Sequence, residues 1–172
     1  PSADDAPPGV LKYDFPIVGA AYARWELVIP GDDDIDLYLE DSTGTIVAQS
    51  TSGGTDELVE LWLPADDTYT MVVHGWSVPN EPLAIDMSSW VVPLATGGSL
   101  NVDSAPTSAV QGEVGTIDLS WTGAGTGTNY GLVSHTGPSG LMGFTMVKVD
   151  VVETLATTSG AHAGSMAIFL PM

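Results

Sequence analysis

The sequence predicts an all-β chain: a β-sandwich, jelly-roll-like, followed by a second, smaller immunoglobulin/fibronectin-like β unit. Three observations carry that expectation. From Ile35 to Leu39 apolar residues occupy every second position, with Asp36 and Tyr38 between them, which is the period of a half-buried strand. Ile117, Leu119 and Trp121 repeat the pattern against Asp118 and Ser120. Finally, 20 glycines and 12 prolines, set among many Thr, Val and Ser residues, leave little room for helices.

Residues 1–8 read as a leader or linker. Strands are predicted near 10–17, 22–29, 35–40, 46–49, 57–63, 69–74 and 83–92. Turn residues separate them at Pro30-Gly31, Ser42-Thr43-Gly44, Ser52-Gly53-Gly54, Ala65-Asp66-Asp67 and Pro79-Asn80. Short strands at this spacing fit a sandwich over 9–92. Residues 93–97 form a connector. The second unit, 98–152, is expected to hold strands near 99–102, 115–122, 128–135 and 141–152, with turns at Gly123–Gly127 and Gly137–Gly140. Residues 153–172 carry only a weak pattern and read as a tail.

A chain of 172 residues can bury roughly 70% of the surface its unfolded form exposes, enough for one ordinary core or two small ones. Its net charge of -19 arises less from its 22 acidic residues than from its 3 basic ones, Lys12, Arg24 and Lys148. Such a surface repels phosphate backbones and anionic lipid, which argues against nucleic-acid and membrane-surface partners. It tolerates high salt and attracts divalent cations. The absence of cysteine excludes disulfides and thiol chemistry. The chain starts at Pro1, and the expectation is a processed piece of a longer secreted protein.

Asp32, Asp33, Asp34 and Asp36 form the densest acidic cluster, and carboxylates entering a strand can supply oxygen ligands to calcium. They lack the spacing of an EF-hand loop, and Asp4, Asp5 or Asp86 would have to complete the set. A solvated acidic loop is the competing reading. His74, Asp36 and Ser77 could be nominated as a catalytic triad, but there is no Gly-x-Ser-x-Gly turn to hold the serine. Ala163-Gly164-Ser165-Met166-Ala167 superficially resembles a subtilisin nucleophile segment without the preceding Thr. No other metal, phosphate or dinucleotide motif is present. The chain is therefore expected to have no active site and to require no cofactor, calcium apart. Of the five tryptophans, Trp25 and Trp121 read as core. Trp62, out of phase with Leu61 and Leu63, and Trp76, in a Gly-Trp-Ser segment, are the candidates for substrate binding.

The segments Asp34-Ile-Asp-Leu-Tyr-Leu39, Asp41-Ser-Thr-Gly-Thr-Ile-Val47, Glu57-Leu-Val-Glu-Leu61 and Thr68-Tyr-Thr-Met-Val-Val-His-Gly-Trp76 together resemble the bacterial pre-peptidase C-terminal domain. The likeness is greatest to the version that ends secreted subtilisin-like serine proteases. Gly115–Gly123, Thr128–Tyr130, Val133–His135 and Val147–Asp150 resemble the fibronectin-III-like segment closing the same proteases. The resemblance covers residues 9–151. It departs where many family members place a Gly next to the Thr and this chain has Asp67 before Thr68. The family implies a non-catalytic, extracellular accessory region that stabilises the enzyme, aids its secretion or holds protein substrate. Its partner would be an upstream peptidase domain of the same precursor. The alternative is a carbohydrate-binding or adhesive module, for which Trp62 and Trp76 would have to lie exposed in one plane.

Overall fold

The computed structural model describes residues 9–29, 31–54, 56–79, 83–152 and 162–169. The described residues form strands and turns without helix, and the chain divides into two units, Pro1–Ala95 and Thr96–Met172.

The first unit contains β1 (Val10–Ile17), β2 (Ala20–Val28), β3 (Asp34–Glu40), β4 (Ile46–Ser50), β5 (Asp56–Trp62), β6 (Asp67–Ser77) and β7 (Asp86–Pro93). They make two antiparallel sheets, β1-β6-β3-β4 and β5-β2-β7. Only the β3–β4 hairpin stays within a sheet, so every other connection crosses between the two layers. These crossings force both sheets to turn their apolar faces to a common core, as in a β-sandwich.

Alternation supplies that core. Ala23, Trp25 and Leu27 of β2 face Ile35, Leu37 and Leu39 of β3 and Met71 and Val73 of β6, all buried. Trp25 is 0% exposed and meets Phe15 edge-on, with ring centroids 5.5 Å apart. On β6, Gly75 packs closely against its neighbours. A Cβ on Gly75 would lie 2.8 Å from Val78 Cγ2, and the Gly75 amide donates to Gly9 O at 2.8 Å. Glycine keeps β6 close to the start of β1.

The β3–β4 turn is built by Asp41. Its Oδ1 accepts the Thr43 hydroxyl at 2.6 Å and the amides of Thr43 at 2.9 Å and Thr45 at 3.0 Å. Gly44 takes the positive φ of 82° that the turn demands. These bonds hold the Asp41 carboxyl below the usual aspartate range, the Thr43 hydroxyl contributing most. Asp67 is lowered in the same way, chiefly by Ser42.

The second unit contains β8 (Leu100–Ser104), β9 (Val114–Trp121), β10 (Gly127–Gly137), β11 (Gly140–Val151) and β12 (His162–Phe169). β12-β9-β8 form one sheet and β10-β11 a long hairpin. Its core is thin: Ile117, Leu119, Val133 and Val147 are buried, with Leu100 and Val149 packed on them. Two expectations change here. Trp121 lies in phase with Ile117 and Leu119 but at the strand end, where it is only half-buried. The tail expected to be patternless holds β12, paired antiparallel with β9 from His162↔Trp121 to Phe169↔Val114. The small residues Ala163, Gly164, Ser165 and Ala167 dilute the alternation by which a strand is recognised.

Two measurements follow from this packing. Trp25→Ala should lower the stability of the first unit by about 3–5 kcal/mol, read by denaturant unfolding, since it empties the centre of the core. A smaller loss would mean that Trp25 is not the central packing residue. The lowered Asp41 and Asp67 carboxyls contribute stability that is present above the unfolded value near ~3.9 and lost as pH falls through their lower folded values. Acidification also relieves self-repulsion, in the opposite sense. Comparing wild type with Asp41→Asn isolates the turn: the variant should lose less of its thermal midpoint on acidification, and equal losses would refute the assignment.

Candidate functional site

The outer faces of the first unit carry the exposed side chains. On β3 and β6 the residues alternating with the core are Asp36, Tyr38 and Glu40, opposite His74, Val72 and Thr70. On β1 they are Val10, Lys12 and Asp14. Trp76 follows His74 on the same side of β6, edge-on to its ring at 6.1 Å, and is 69% exposed.

Asp36, in register with His74, is itself buried. The Tyr38 hydroxyl donates to Asp36 Oδ2 at 3.1 Å, and His74 Nδ1 lies 3.7 Å from the same oxygen. That hydrogen bond raises the Tyr38 pKa above its ordinary value. Two members of the nominated triad therefore do meet. Ser77 pairs in register with Asp34, beyond a bulge, and shares no hydrogen bond with His74 among the described residues. Asp36 and His74 are accounted for as a cross-strand polar pair. Ser165, the other candidate serine, lies on β12 in register with Asp118.

The aspartates proposed for calcium differ in their surroundings. Asp32 is exposed, Asp33 is 2% exposed, Asp34 opens β3, and Asp36 is engaged by Tyr38 and His74. Asp34 Oδ1 is buried without a hydrogen-bond partner. Among the described residues no three His, Cys, Asp or Glu side chains are grouped to hold a metal ion. Asp32 and Asp33 precede β3, and only Asp34 and Asp36 share the strand. Asp86 begins β7 and is exposed, while Asp4 and Asp5 lie outside the described residues.

One charged residue escaped the motif search. Glu57 sits in phase with Val59 on the inner face of β5 and is 1% exposed. Its Oε1 accepts the Ser52 hydroxyl at 3.0 Å, and Oε2 is buried without a partner among the described residues. The alternation Glu57, Val59, Leu61 was the signal that could have found it.

Trp62 lies on the other sheet. It is 43% exposed and packs on Tyr22 with ring centroids 4.6 Å apart. Beyond it Leu63 takes a positive φ of 48°, unusual for a branched side chain, while its amide donates to Ala21 O at 2.9 Å. The Tyr22 hydroxyl donates to Glu60 Oε2 at 2.8 Å, and burial pushes its pKa up to about 12. Arg24 bridges Glu26 at 3.3 Å and Glu60 at 3.5 Å on the same face. Trp62 and Trp76 thus belong to the outward faces of two different sheets and cannot share one plane. In the second unit a pocket of about 30 Å³ is lined by Leu100, Trp121, Tyr130 and Val149, room for water rather than for a substrate.

No family model matches this chain. A stretch of 50 residues is 42% identical to pyrolysin of Pyrococcus furiosus, a subtilisin-like protease. The matched stretch is 29% of this chain and 4% of pyrolysin. Part of this chain is thus similar to a small part of a subtilisin-like protease.

The raised Tyr22 pKa has a consequence at alkaline pH. A phenol whose folded pKa exceeds the unfolded one stabilises the fold below the unfolded value near ~10, and that contribution is lost as pH rises towards the folded value. Tyr22→Phe should therefore reduce the fall in thermal midpoint between about pH 9 and about pH 11. An unchanged slope would show that Tyr22 ionises as freely in the fold as outside it.

Proposed function

We propose that the chain is a non-catalytic, extracellular accessory region of a subtilisin-like serine protease. It would comprise a pre-peptidase C-terminal-like sandwich followed by a fibronectin-III-like unit. The observation that carries this reading is the 42% identity to part of pyrolysin, found in a chain that folds as two β units. The arrangement of polar side chains supports it. The His74–Asp36 pair is tied to Tyr38 and not to a serine, and its carboxylate lies on the face of a sheet. Such a region stabilises the peptidase, aids its secretion or holds protein substrate near it.

The divergence of Trp62 and Trp76 removes the planar aromatic platform on which the carbohydrate-binding alternative depended. The 172-residue chain should show no hydrolysis of casein or peptide esters and no labelling by a fluorophosphonate serine probe. Measured turnover, or labelling at Ser77 or Ser165, would overturn the accessory reading.

A further inference from the structure

We propose that the outward face of the β1-β6-β3-β4 sheet binds an extended polypeptide segment bearing several lysine or arginine side chains. Trp76 would take one cation, and the carboxylates of Asp14 and Glu40 would take another. This deepens the substrate-holding side of the accessory reading, on which it rests only for where the polypeptide comes from.

The face has the chemistry for such a ligand. Trp76 offers the most exposed indole ring among the described tryptophans, touched at its edge by His74. An exposed indole face attracts a cation by its quadrupole. The Asp36 carboxylate lies across the strand pair from His74, two residues before Trp76, and adds negative field. Further along, register brings Asp14, Thr70 and Glu40 into one row. Asp14 is exposed and accepts the Thr70 hydroxyl at 2.8 Å. Lys12, the only Lys or Arg on this face, reaches Glu40 at 3.4 Å in a half-exposed pair. The net charge of -19 steers polycations towards the chain from a distance.

The spacing selects an extended ligand. Asp36 and Glu40 lie four residues apart on β3, about 13 Å at strand rise. A segment running along the sheet presents same-side residues about every 6.6 Å, so every second cation of an alternating segment falls in step with the Asp36 and Glu40 rows. On the opposite sheet Arg24, paired with Glu26 and Glu60, stands between Trp62 and the exposed carboxylates of Asp56 and Asp86, so indole and open carboxylates are separated by a cation.

The test is titration of the whole chain with a heptapeptide alternating Lys and Thr, beside counterparts alternating Glu or Ser with Thr. The Lys peptide should bind, more weakly as salt rises, and the other two should not. Trp76→Ala should weaken binding about 2- to 5-fold, the range of an exposed cation–π contact. Lys12→Ala should tighten it by freeing Glu40, and Trp62→Ala, on the other sheet, should leave it unchanged. Thermal midpoints establish that each variant is folded. Equal binding of the Lys and Ser peptides would overturn the proposal. So would binding by Trp76→Ala equal to wild type, which would mean attraction by net charge alone. Failure of either kind leaves the accessory reading untouched, whereas serine-probe labelling would overturn that reading and not this surface.

Discussion

Burial of the inward side of β2 is the constraint on which the first unit depends. Trp25 fills the space between two sheets, flanked by Ala23 and Leu27, and Phe15 closes on its edge. Because nearly every connection crosses from one layer to the other, a strand cannot slip in register without carrying apolar residues out of this core. The same constraint decides where the exposed aromatics go. Once Val59 and Val73 face inwards, Trp62 and Trp76 must point away from the core, each on its own sheet.

An acidic surface with few cations has to satisfy its carboxylates by other means. Lys12 pairs with Glu40, Arg24 with Glu26 and Glu60, and Lys148 with Asp150. Lys148 and Asp150 are exposed, and a pair of that kind contributes little to stability. Hydroxyls and amides take over the role. Asp14 accepts Thr70, Asp118 accepts Ser104, Asp103 accepts Ser120 and Asp150 accepts Thr128, each across a strand pair. The lowered pKa of Asp150 comes first from Thr128 and only then from Lys148. Hydrogen bonds of this kind are less sensitive to salt than ion pairs between exposed side chains, so the sheets hold together without cationic partners.

Most of the β architecture was legible because strands with one wet face write their period into the sequence. Ile35, Leu37 and Leu39 are all buried, and Trp25 is core as its flanking charges implied. The expected strand at 10–17 matches β1 in full. What the sequence hid was non-local. β12 lies at the sheet edge beside β9, and its small residues do not announce a strand. Trp121 shares the phase of the core but sits where the second unit is too thin to cover it. The aspartate run at 32–36 suggested a shared ligand set, yet among the described residues no three such side chains are grouped to hold a metal ion. Asp36 is instead matched to His74 by strand register, which sequence spacing alone does not reveal.

The two outward faces of the first unit are chemically unequal, and this bears on what each can do. On β5-β2-β7, Tyr22, Glu60, Arg24 and Glu26 already form a closed polar chain beneath Trp62. An incoming charge beside Trp62 would have to break an Arg24 contact, and the exposed carboxylates of Asp56 and Asp86 lie at the other end of the sheet, in register with Val28. On β1-β6-β3-β4 the indole and the carboxylate of Asp14 are exposed, and the single Lys12–Glu40 pair is long and partly exposed. Displacing such a pair costs little, because water and salt have already weakened it. The asymmetry follows from where two of the chain's few cations fall: Arg24 on the central strand of one sheet, Lys12 on the edge strand of the other.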